Sequence, residues 1–425
     1  MKLRAVEDHW CLINDQKQGG LQLETLRAAK AIENDIISLR RQIHMHPEIG
    51  LDTPHTSALV ARVLRDLGTE VWEHVGGHGV VGLLRGSQSN EGAQAGQSPR
   101  PTIALRADMD ALPVTEETGK DYCSRIPGVM HACGHDAHTA VLLGTAKILS
   151  DMRKELAADV KFIFQPGEEG AGGARPMIED GCLDNPKPDL ILGAHVGTLW
   201  GLSSGMVGVR SGPLMAASDR FTVTVRGKGG HGAAPHVSVD PVVIASQIIV
   251  ALQTIVSRDV DPLAPAVVTV GMIHAGTANN IIPETCEFRG TVRYLDRYLG
   301  ELIPQRIKAI CDGIAVAMKA QAVVDYHYGY PVVVNDAFAT EFLADSAASV
   351  VGRDNVRQIP AVMGGEDMAY YLQMVPGTFF GVGTGTPGKG TDFPHHHPKF
   401  DVDEDVLHVA AAVFVQACLD FGRRQ

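Results

Sequence analysis

The stretch "HTAVLLGTAKILSDMRKELAADVKFIFQ" (138–165) joins an apolar helical pattern to a short strand pattern. Its first half repeats apolar residues with the spacing of a helix, and residues 159–165 are rich in β-branched and aromatic side chains. Similar short runs occur at 80–84, 102–108 and 189–195. Because strands and helices alternate in this way, we predict an α/β domain with a mostly parallel central sheet.

A different pattern begins near Asp219 and continues to about residue 328. Its order is strand, helix, strand, strand, helix, strand, which is the ferredoxin-like arrangement. The alternating α/β pattern then resumes. We therefore predict an inserted domain over residues 216–330, and a discontinuous first domain formed by residues 1–215 and 331–425.

Composition and net charge indicate which kinds of binding partner suit the chain. The chain has 425 residues, more than one ordinary core requires, and a formal net charge of −12. Binding to nucleic acid or to an anionic membrane needs clustered Lys and Arg, so a small-molecule partner is favoured. The seven cysteines are scattered and predict reduced thiols in a cytoplasmic protein. No stretch, including residues 1–20, gives about twenty uninterrupted apolar residues, so we predict neither secretion nor membrane insertion.

Metal-ligating residue types stand at the ends of the predicted strands. Ligands of open α/β sheets bind at the carboxyl ends of the strands, so these side chains are expected to meet at one edge. Thiolate and imidazole favour Zn²⁺, and carboxylates also admit Mn²⁺. The candidates after strands are Asp108, Asp110, Glu168, Glu169 and His195, and two further candidates, Cys133 and His135, precede a helix.

The adjacent pair Glu168 and Glu169 favours catalysis over a solvated turn. Side chains of neighbouring residues diverge, so one glutamate can bind a metal while the other handles the proton of a metal-bound water. An alternative is a thiol hydrolase in which Cys133 is a nucleophile activated by His135 or His138. That alternative leaves the two glutamates without a role.

Three further segments carry candidate residues. The loop "FPHHHPKFDVDED" (393–405) contains three consecutive histidines, of which at least one is expected to be a ligand, although spacing alone does not identify it. The glycine-rich segment "GKGGHGAAPH" (227–236) places His231 where it could donate to an oxyanion. Asn280 and Arg293 have the donor types that orient a substrate carboxylate.

These motifs, in this order, resemble the metal-dependent aminoacylase and carboxypeptidase family, in particular its amidohydrolase branch. That branch contains hippurate hydrolases, N-acyl-amino-acid hydrolases and hydrolases of indole-acetyl amino acid conjugates. The likeness spans nearly the whole chain and rests on the segments "RRQIHMHPEIG", "RADMDALP", "MHACGHDAHT", "FQPGEEG", "GAHV", "GGHGAAPH", "NNIIPE", "GTVR", "GGEDMAYY" and "HHPKFDVDED".

The resemblance implies a catalytic domain interrupted by a lid that also forms a homodimer. It implies two divalent metal ions per subunit, Zn²⁺ or Mn²⁺ in the first place and otherwise Co²⁺ or Ni²⁺. Glu168 is then the general base, and His231 steadies the tetrahedral intermediate in the partner subunit's active site. The family pattern His, any residue, Pro points to the second histidine of the late loop. The implied ligands are Cys133, His135, Glu169, His195 and His396.

The reaction implied is hydrolysis of the amide bond of an N-acyl or N-aroyl amino acid by metal-activated water. The substrate carboxylate would be held by Asn280 and Arg293. A cysteine hydrolase using Cys133, or a catalytically inactive metal-binding relative, are the alternatives. The roles of Asp108 and Glu366 stay open at this stage.

Overall fold

The computed structural model describes residues 24–87 and 100–423. The first twenty residues, for which the sequence predicts no apolar leader, lie outside this range. Contacts among the described residues divide the chain into two units. Unit 1 is drawn from Met1–Gly212, Asn335–Pro360 and Tyr370–Gln425, and unit 2 from Pro213–Val334 and Ala361–Ala369.

The helices of the described residues alternate with strands in the first part of the chain and again near its end. Their bounds are α1 (24–31), α2 (Glu33–His44), α3 (Pro54–Asp66), α4 (His135–Asp151), α5 (Ala174–Glu179), α6 (Pro241–Thr254), α7 (Leu299–Ala317), α8 (Ala337–Val351), α9 (Met368–Met374) and α10 (Leu407–Phe421).

The strands range from two to ten residues. Their bounds are β1 (Glu70–Val75), β2 (Gly79–Leu84), β3 (Thr102–Asp108), β4 (Asp159–Gln165), β5 (Leu190–Gly197), β6 (Val207–Val209), β7 (Gly212–Met215), β8 (Ala217–Arg226), β9 (Gly230–His231), β10 (Ala266–Ala275), β11 (Ile281–Ile282), β12 (Thr285–Tyr294), β13 (Gln321–Tyr330), β14 (Val333–Asn335), β15 (Val356–Gln358) and β16 (Gly377–Gly383).

Unit 1 is built on one sheet of eight described strands in the order β1-β2-β4-β3-β5-β16-β6-β15. The four central strands, β4, β3, β5 and β16, run parallel to one another. Each of them is buried along its whole length, which explains their nearly continuous apolar sequences. The predicted α/β class with a mostly parallel central sheet is confirmed.

Helix α4 is the central helix of unit 1. Fourteen of its 17 residues are buried, and it contacts both α2 and α10. Apolar residues stand on several sides of the helix, because Val141, Leu142 and Leu143 follow one another at intervals of about 100°, which suits a helix enclosed by other elements. His135, the first residue of α4, is therefore held in place by a buried helix.

Unit 2 contains a four-stranded antiparallel sheet in the order β10-β12-β8-β13. Its main elements follow one another as β8, α6, β10, β12, α7 and β13, which is the predicted β-α-β-β-α-β order. Inward residues alternate along β8, where Phe221, Val223 and Val225 are buried in the core that α6 and α7 cover.

One helical segment among the described residues, Pro241–Asp259, has the length and composition of a membrane-spanning helix. It comprises α6 and a following π-helical turn. Ile244, Ile248 and Leu252 on one face of α6 belong to the hydrophobic core of unit 2. We therefore interpret the segment as a core helix of unit 2 with a second apolar face.

Candidate metal and substrate site

Asp110 fixes the turn that carries the two glutamates. Its Oδ1 accepts the backbone N–H of Glu168 at 2.9 Å, and its Oδ2 accepts that of Glu169 at 3.0 Å. Asp110 follows β3, and the glutamates follow the neighbouring parallel strand β4, so the sheet brings these segments together. The sequence analysis named Asp110 among the carboxylates at this edge of the sheet, two residues after Asp108 and on the same side of an extended chain. It did not predict that Asp110 binds these two backbone N–H groups.

Both carboxylate oxygens of Asp108 contact other side chains of the chain. Oδ1 lies 2.5 Å from His138 Nδ1, and Oδ2 accepts a hydrogen bond from Arg106 at 2.8 Å. His138 Nε2 accepts the backbone N–H of Val196 at 2.9 Å, so the ring proton is on Nδ1 and is donated to Asp108. These contacts connect β3, α4 and β5 behind the cluster of candidate ligands.

Cys133 and His135 are separated by a glycine that adopts a left-handed conformation. Gly134 has a φ of +89°, which residues with a Cβ adopt only at a cost, and it is the residue before α4. Both ring nitrogens of His135 are buried and have no hydrogen-bond partner among the residues that the structure describes. They lie 3.4 Å from Asp110 Oδ1 and 3.7 Å from Asp108 Oδ2, within ion-pair distance only.

The thiol of Cys133 lies between two histidine rings. Its Sγ is 3.6 Å from His195 Nε2 and 3.6 Å from His395 Nδ1. His195 stands on β5, and its Nδ1 lies 2.9 Å from the carbonyl oxygen of Val196. Burial, together with the neighbouring histidines, lowers the pKa of His195 well below its usual value, so the ring is neutral and Nε2 keeps a lone pair.

His396 lies beside Glu169. Its Nε2 is 3.2 Å from Glu169 Oε1, and its backbone N–H donates to the carbonyl of Ala132 at 2.8 Å. The φ of His396 is +65°, an uncommon conformation for a residue with a side chain, and strained conformations of this kind concentrate at functional sites. The backbone thus holds the late loop against the segment that contains Cys133.

The five predicted ligands are brought into one cluster. Donor atoms of Cys133, His135 and Glu169 lie within 4.8 Å of one another, and so do those of Cys133, His195 and His395. His396 joins the first group through Glu169. The donor set combines thiolate, imidazole and carboxylate, and His135 has two orphaned ring nitrogens beside acidic groups. These residues fit a divalent transition-metal cation.

The thiol of Cys133 is not activated as a nucleophile. Burial raises its pKa well above the usual value, and the Glu169 carboxylate raises it further, while His135 only partly opposes this. A nucleophilic cysteine needs a lowered pKa. A metal cation removes such a proton by binding the thiolate directly. The cysteine-hydrolase alternative is therefore not favoured.

A buried ion-pair network, missed by the sequence analysis, stands behind the cluster. Arg40 donates to Asp136 at 2.8 Å, to Asp401 at 2.6 Å and to Glu404 at 3.0 Å. His44 Nδ1 lies 2.7 Å from Asp136. The available signal was the segment 40–44, which places Arg40 and His44 four residues apart on the helix face that also buries Ile43.

In unit 2, His231 lies on the short strand β9, and Asn280 directly precedes the short strand β11 that pairs with β9. His231 on β9 pairs with Ile281 on β11, and the backbone N–H of Gly232 donates to the carbonyl of Asn280 at 2.8 Å. Both side chains are exposed. His231 Nδ1 accepts the N–H of Ala233 at 3.0 Å, so its outward Nε2 carries the ring proton in the neutral form.

Arg293 is distant from that pair within one chain. It lies near the end of β12, whose other end, Thr285, is on the side of β9 and β11. Thr285 and Arg293 are eight residues apart along β12, which corresponds to roughly 25 Å. Arg293 is half-buried and donates to the carbonyl of Val292 at 3.0 Å and to Thr291. One copy of unit 2 therefore does not bring Arg293 and Asn280 to the same carboxylate.

Comparison with known proteins shows the family to which the chain belongs. The model of peptidase family M20/M25/M40 matches residues 104–420. Thermostable carboxypeptidase 1 of Saccharolobus solfataricus is 40% identical over 399 residues, covering 93% of this chain and 97% of that protein. N-acetyl-L-cysteine deacetylase of Bacillus subtilis is 41% identical over 384 residues, covering 90% of this chain and 87% of that protein.

The solved structure of a relative has the same fold as this chain. The crystal structure of the Bacillus subtilis YXEP protein, a dinuclear metal-binding peptidase of the M20 family, superposes with a TM-score of 0.78 at 34% identity. The match covers 93% of this chain and 99% of that chain. The chain belongs to peptidase family M20/M25/M40 and is a hydrolase.

Proposed function

We propose that this enzyme holds two divalent metal ions in unit 1 and hydrolyses the amide bond of N-acyl amino acids. The observation that carries the proposal is the buried cluster around Cys133, which brings thiol, imidazole and carboxylate donors within metal-ligand distance of one another. The similar YXEP protein is described as a dinuclear metal-binding peptidase, which supports the number of ions. The proposed ligands are Cys133, His135, Glu169, His195 and His396.

Glu168 is the proposed general base. When bound, divalent ions lower the pKa of a coordinated water and polarise a scissile carbonyl. Asp110 holds the backbone of Glu168 and Glu169 with separate oxygens, and Glu169 faces His396. We therefore assign to Glu169 the metal and to Glu168 the uptake of the water's proton and its return to the leaving amine. Glu168 is buried, which suits a group that transfers protons away from bulk solvent.

The relatives and the donors in unit 2 support the proposed substrate class. An N-acetyl-L-cysteine deacetylase and a carboxypeptidase both act next to an amino acid carboxylate. We assign that carboxylate to Arg293 and Asn280, and the developing oxyanion to the Nε2–H of His231. Because Arg293 and Asn280 are far apart in one chain, we propose that a homodimer supplies Asn280 and His231 from the partner.

The second apolar face of α6 supports a dimer contact. Val243 and Val250 are 48% and 68% exposed, and both lie on the side of the helix that faces away from the core. Apolar residues grouped on one helix face are typical of a protein interface. A charged substitution, Val250→Lys, is expected to yield monomers in light scattering without changing the circular dichroism spectrum.

Two finer assignments stay proposals. Zn²⁺ and Mn²⁺ are the favoured ions because the donors mix thiolate, imidazole and carboxylate, with Co²⁺ and Ni²⁺ as alternatives. A cytoplasmic location is supported by the six cysteines of the described residues, all of which are free thiols.

The test combines metal analysis with a hydrolysis screen of hippurate and of N-acetyl, indole-acetyl and aminobenzoyl amino acids. We expect two metal ions per subunit, turnover of at least one conjugate, and a Glu168→Gln variant that keeps its metal but loses turnover. Activity that survives exhaustive treatment with phenanthroline would favour the cysteine hydrolase. Full metal loading without hydrolysis of any conjugate would favour an inactive relative.

A further inference from the structure

Two histidine rings approach the sulfur of Cys133 at the same distance but with opposite hydrogen-bonding character. His195 Nε2 and His395 Nδ1 are each 3.6 Å from Sγ. Distance alone makes both rings equivalent candidates for a metal ligand. The contacts made by the other nitrogen of each ring distinguish them, because a neutral imidazole has one donor and one acceptor nitrogen.

His195 presents a lone pair to the sulfur. Its Nδ1 lies 2.9 Å from the backbone oxygen of Val196, and a carbonyl oxygen can only accept. The proton of the neutral ring therefore lies on Nδ1. Nε2 is left as the acceptor nitrogen on the side of Cys133, the form in which an imidazole binds a metal ion.

His395 presents an N–H to the sulfur. Its Nε2 lies 3.3 Å from the backbone nitrogen of Thr198, and a backbone N–H can only donate. Nε2 therefore has the lone pair, and the proton of the neutral ring lies on Nδ1, which faces Cys133. The ring of His395 therefore has a partner on both sides, the N–H of Thr198, which follows β5, and the sulfur of Cys133.

The ring of His395 is held in this orientation by packing. Gly197 has a φ of +132°, and a Cβ at this position would lie 2.3 Å from His395 Nε2, so only glycine allows the ring to lie against the end of β5. The aromatic ring of Phe400 lies on another side, with its centroid 4.7 Å from that of His395. A flip of the ring about the Cβ–Cγ bond would put Cε1 in the place of Nε2 and break the contact with Thr198.

We propose that His395 is a positioning residue that donates an N–H···S hydrogen bond to the Cys133 thiolate, rather than a metal ligand. The inference rests on the proposed function, because it presupposes a metal-bound thiolate at Cys133. Although Cys133, His195 and His395 also form a group with metal-ligand spacing, the bond from Thr198 assigns the lone pair of His395 elsewhere. Such a donor withdraws electron density from the sulfur and orients it toward the ions.

The test uses the full-length enzyme loaded with Co²⁺, whose thiolate-to-cobalt charge-transfer band reports on the sulfur. His395→Leu removes the donor, and His395→Asn places an amide N–H near the position of Nδ1. His397→Leu is the matched control, because His397 stacks on Phe393 and contacts Lys399 instead of the cysteine.

We expect all three variants to bind as many Co²⁺ ions as the wild type. In His395→Leu the band should move to longer wavelength and the Co²⁺ affinity should fall about 10- to 100-fold. His395→Asn should restore most of both, and His397→Leu should change neither. The loss of one Co²⁺ equivalent in both His395 variants would instead show that His395 is a ligand. An unchanged band position in His395→Leu would show that the N–H···S contact is absent.

The experiment separates this inference from the proposed function. A wild type with no thiolate-to-cobalt band would overturn the metal site itself, and the inference with it. A wild-type band that does not respond to His395→Leu would overturn the inference alone.

Discussion

The Nε of Arg40 lies 2.8 Å from Oδ2 of Asp136, and both side chains are fully buried. Asp136 directly follows His135 at the start of α4. The same guanidinium binds Asp401 and Glu404, which lie in the late loop (393–405) after the three histidines. A single side chain of α2 thereby connects the two segments that carry His135 and His396.

Replacing Arg40 is expected to destabilise the fold strongly. Arg40→Met leaves buried carboxylates without a counter-charge, which should lower the free energy of unfolding by about 3–5 kcal/mol. Urea denaturation measures this change. Arg306→Met is the matched control, because its pair with Asp259 is partly exposed and should contribute about 0–1 kcal/mol. Equal losses in the two variants would contradict a special role for Arg40.

Acid stability is expected to depend on Glu116. Burial raises the pKa of Glu116, but hydrogen bonds from His44, Thr118 and Ser124 outweigh it and lower that pKa from 4.5 to about 2. A lowered folded-state pKa stabilises the protein above the unfolded value, and this stability is lost as the pH falls from about 4.5 toward 2. Glu116→Gln should flatten that part of the stability-against-pH curve. An unchanged slope would show that other carboxylates govern acid unfolding.

His138 is expected to support the site without binding metal. His138→Leu leaves Asp108 Oδ1 and the N–H of Val196 buried without this partner, each at a cost of about 1–3 kcal/mol. Because Val196 follows His195, we also expect a weaker affinity for the metal ion. Thermal unfolding and metal titration measure the two effects. His327→Leu, at an exposed position, is the control and should change neither.

Removing metal is expected to lower both activity and stability. Metal ions that bind only the folded state raise the free energy of unfolding. The increase grows with the ratio of the free metal concentration to the dissociation constant. The melting temperature should therefore fall on dialysis against a chelator and rise again with added Zn²⁺ or Mn²⁺. A Cys133→Ser variant should show a smaller dependence. A melting temperature independent of metal would argue against the cluster as a metal site.

The proposed exchange of residues between subunits can be tested by complementation. Glu168→Gln and His231→Ala homodimers should both have low turnover, the second through kcat far more than KM. After mixing and subunit exchange, half of the dimers carry both variants, and each of these has one intact site. Activity should recover to about a quarter of wild type. No recovery, with exchange verified by mass spectrometry, would place His231 and Glu168 in the same subunit or in separate roles.

The sequence predicted the long elements and the residue types of the site. Strands β3, β4 and β5 could be identified because their runs are buried along their whole length. The strands β6 and β15 have three residues each and pair with one another across about 150 positions of sequence, so no local pattern marks them. Their pairing is a property of the assembled sheet.

The supporting residues of the site were harder to predict for the same reason. Arg40 meets Asp136 only after α2 packs against α4, and Asp110 meets the glutamates only after β3 pairs with β4. The choice among His395, His396 and His397 depends on which ring nitrogen faces which neighbour. Sequence spacing contains no information on ring tautomers.

The two oxygens of Asp110 have a consequence for how this turn can change. Glu168 and Glu169 are chemically identical, so the backbone register that Asp110 fixes decides which of them faces His396. A shift of the turn by one residue would exchange the proposed proton carrier for the proposed ligand without altering the composition of the site. Insertions and deletions near residue 167 should therefore be more damaging than most substitutions there, because they reassign roles rather than weaken them.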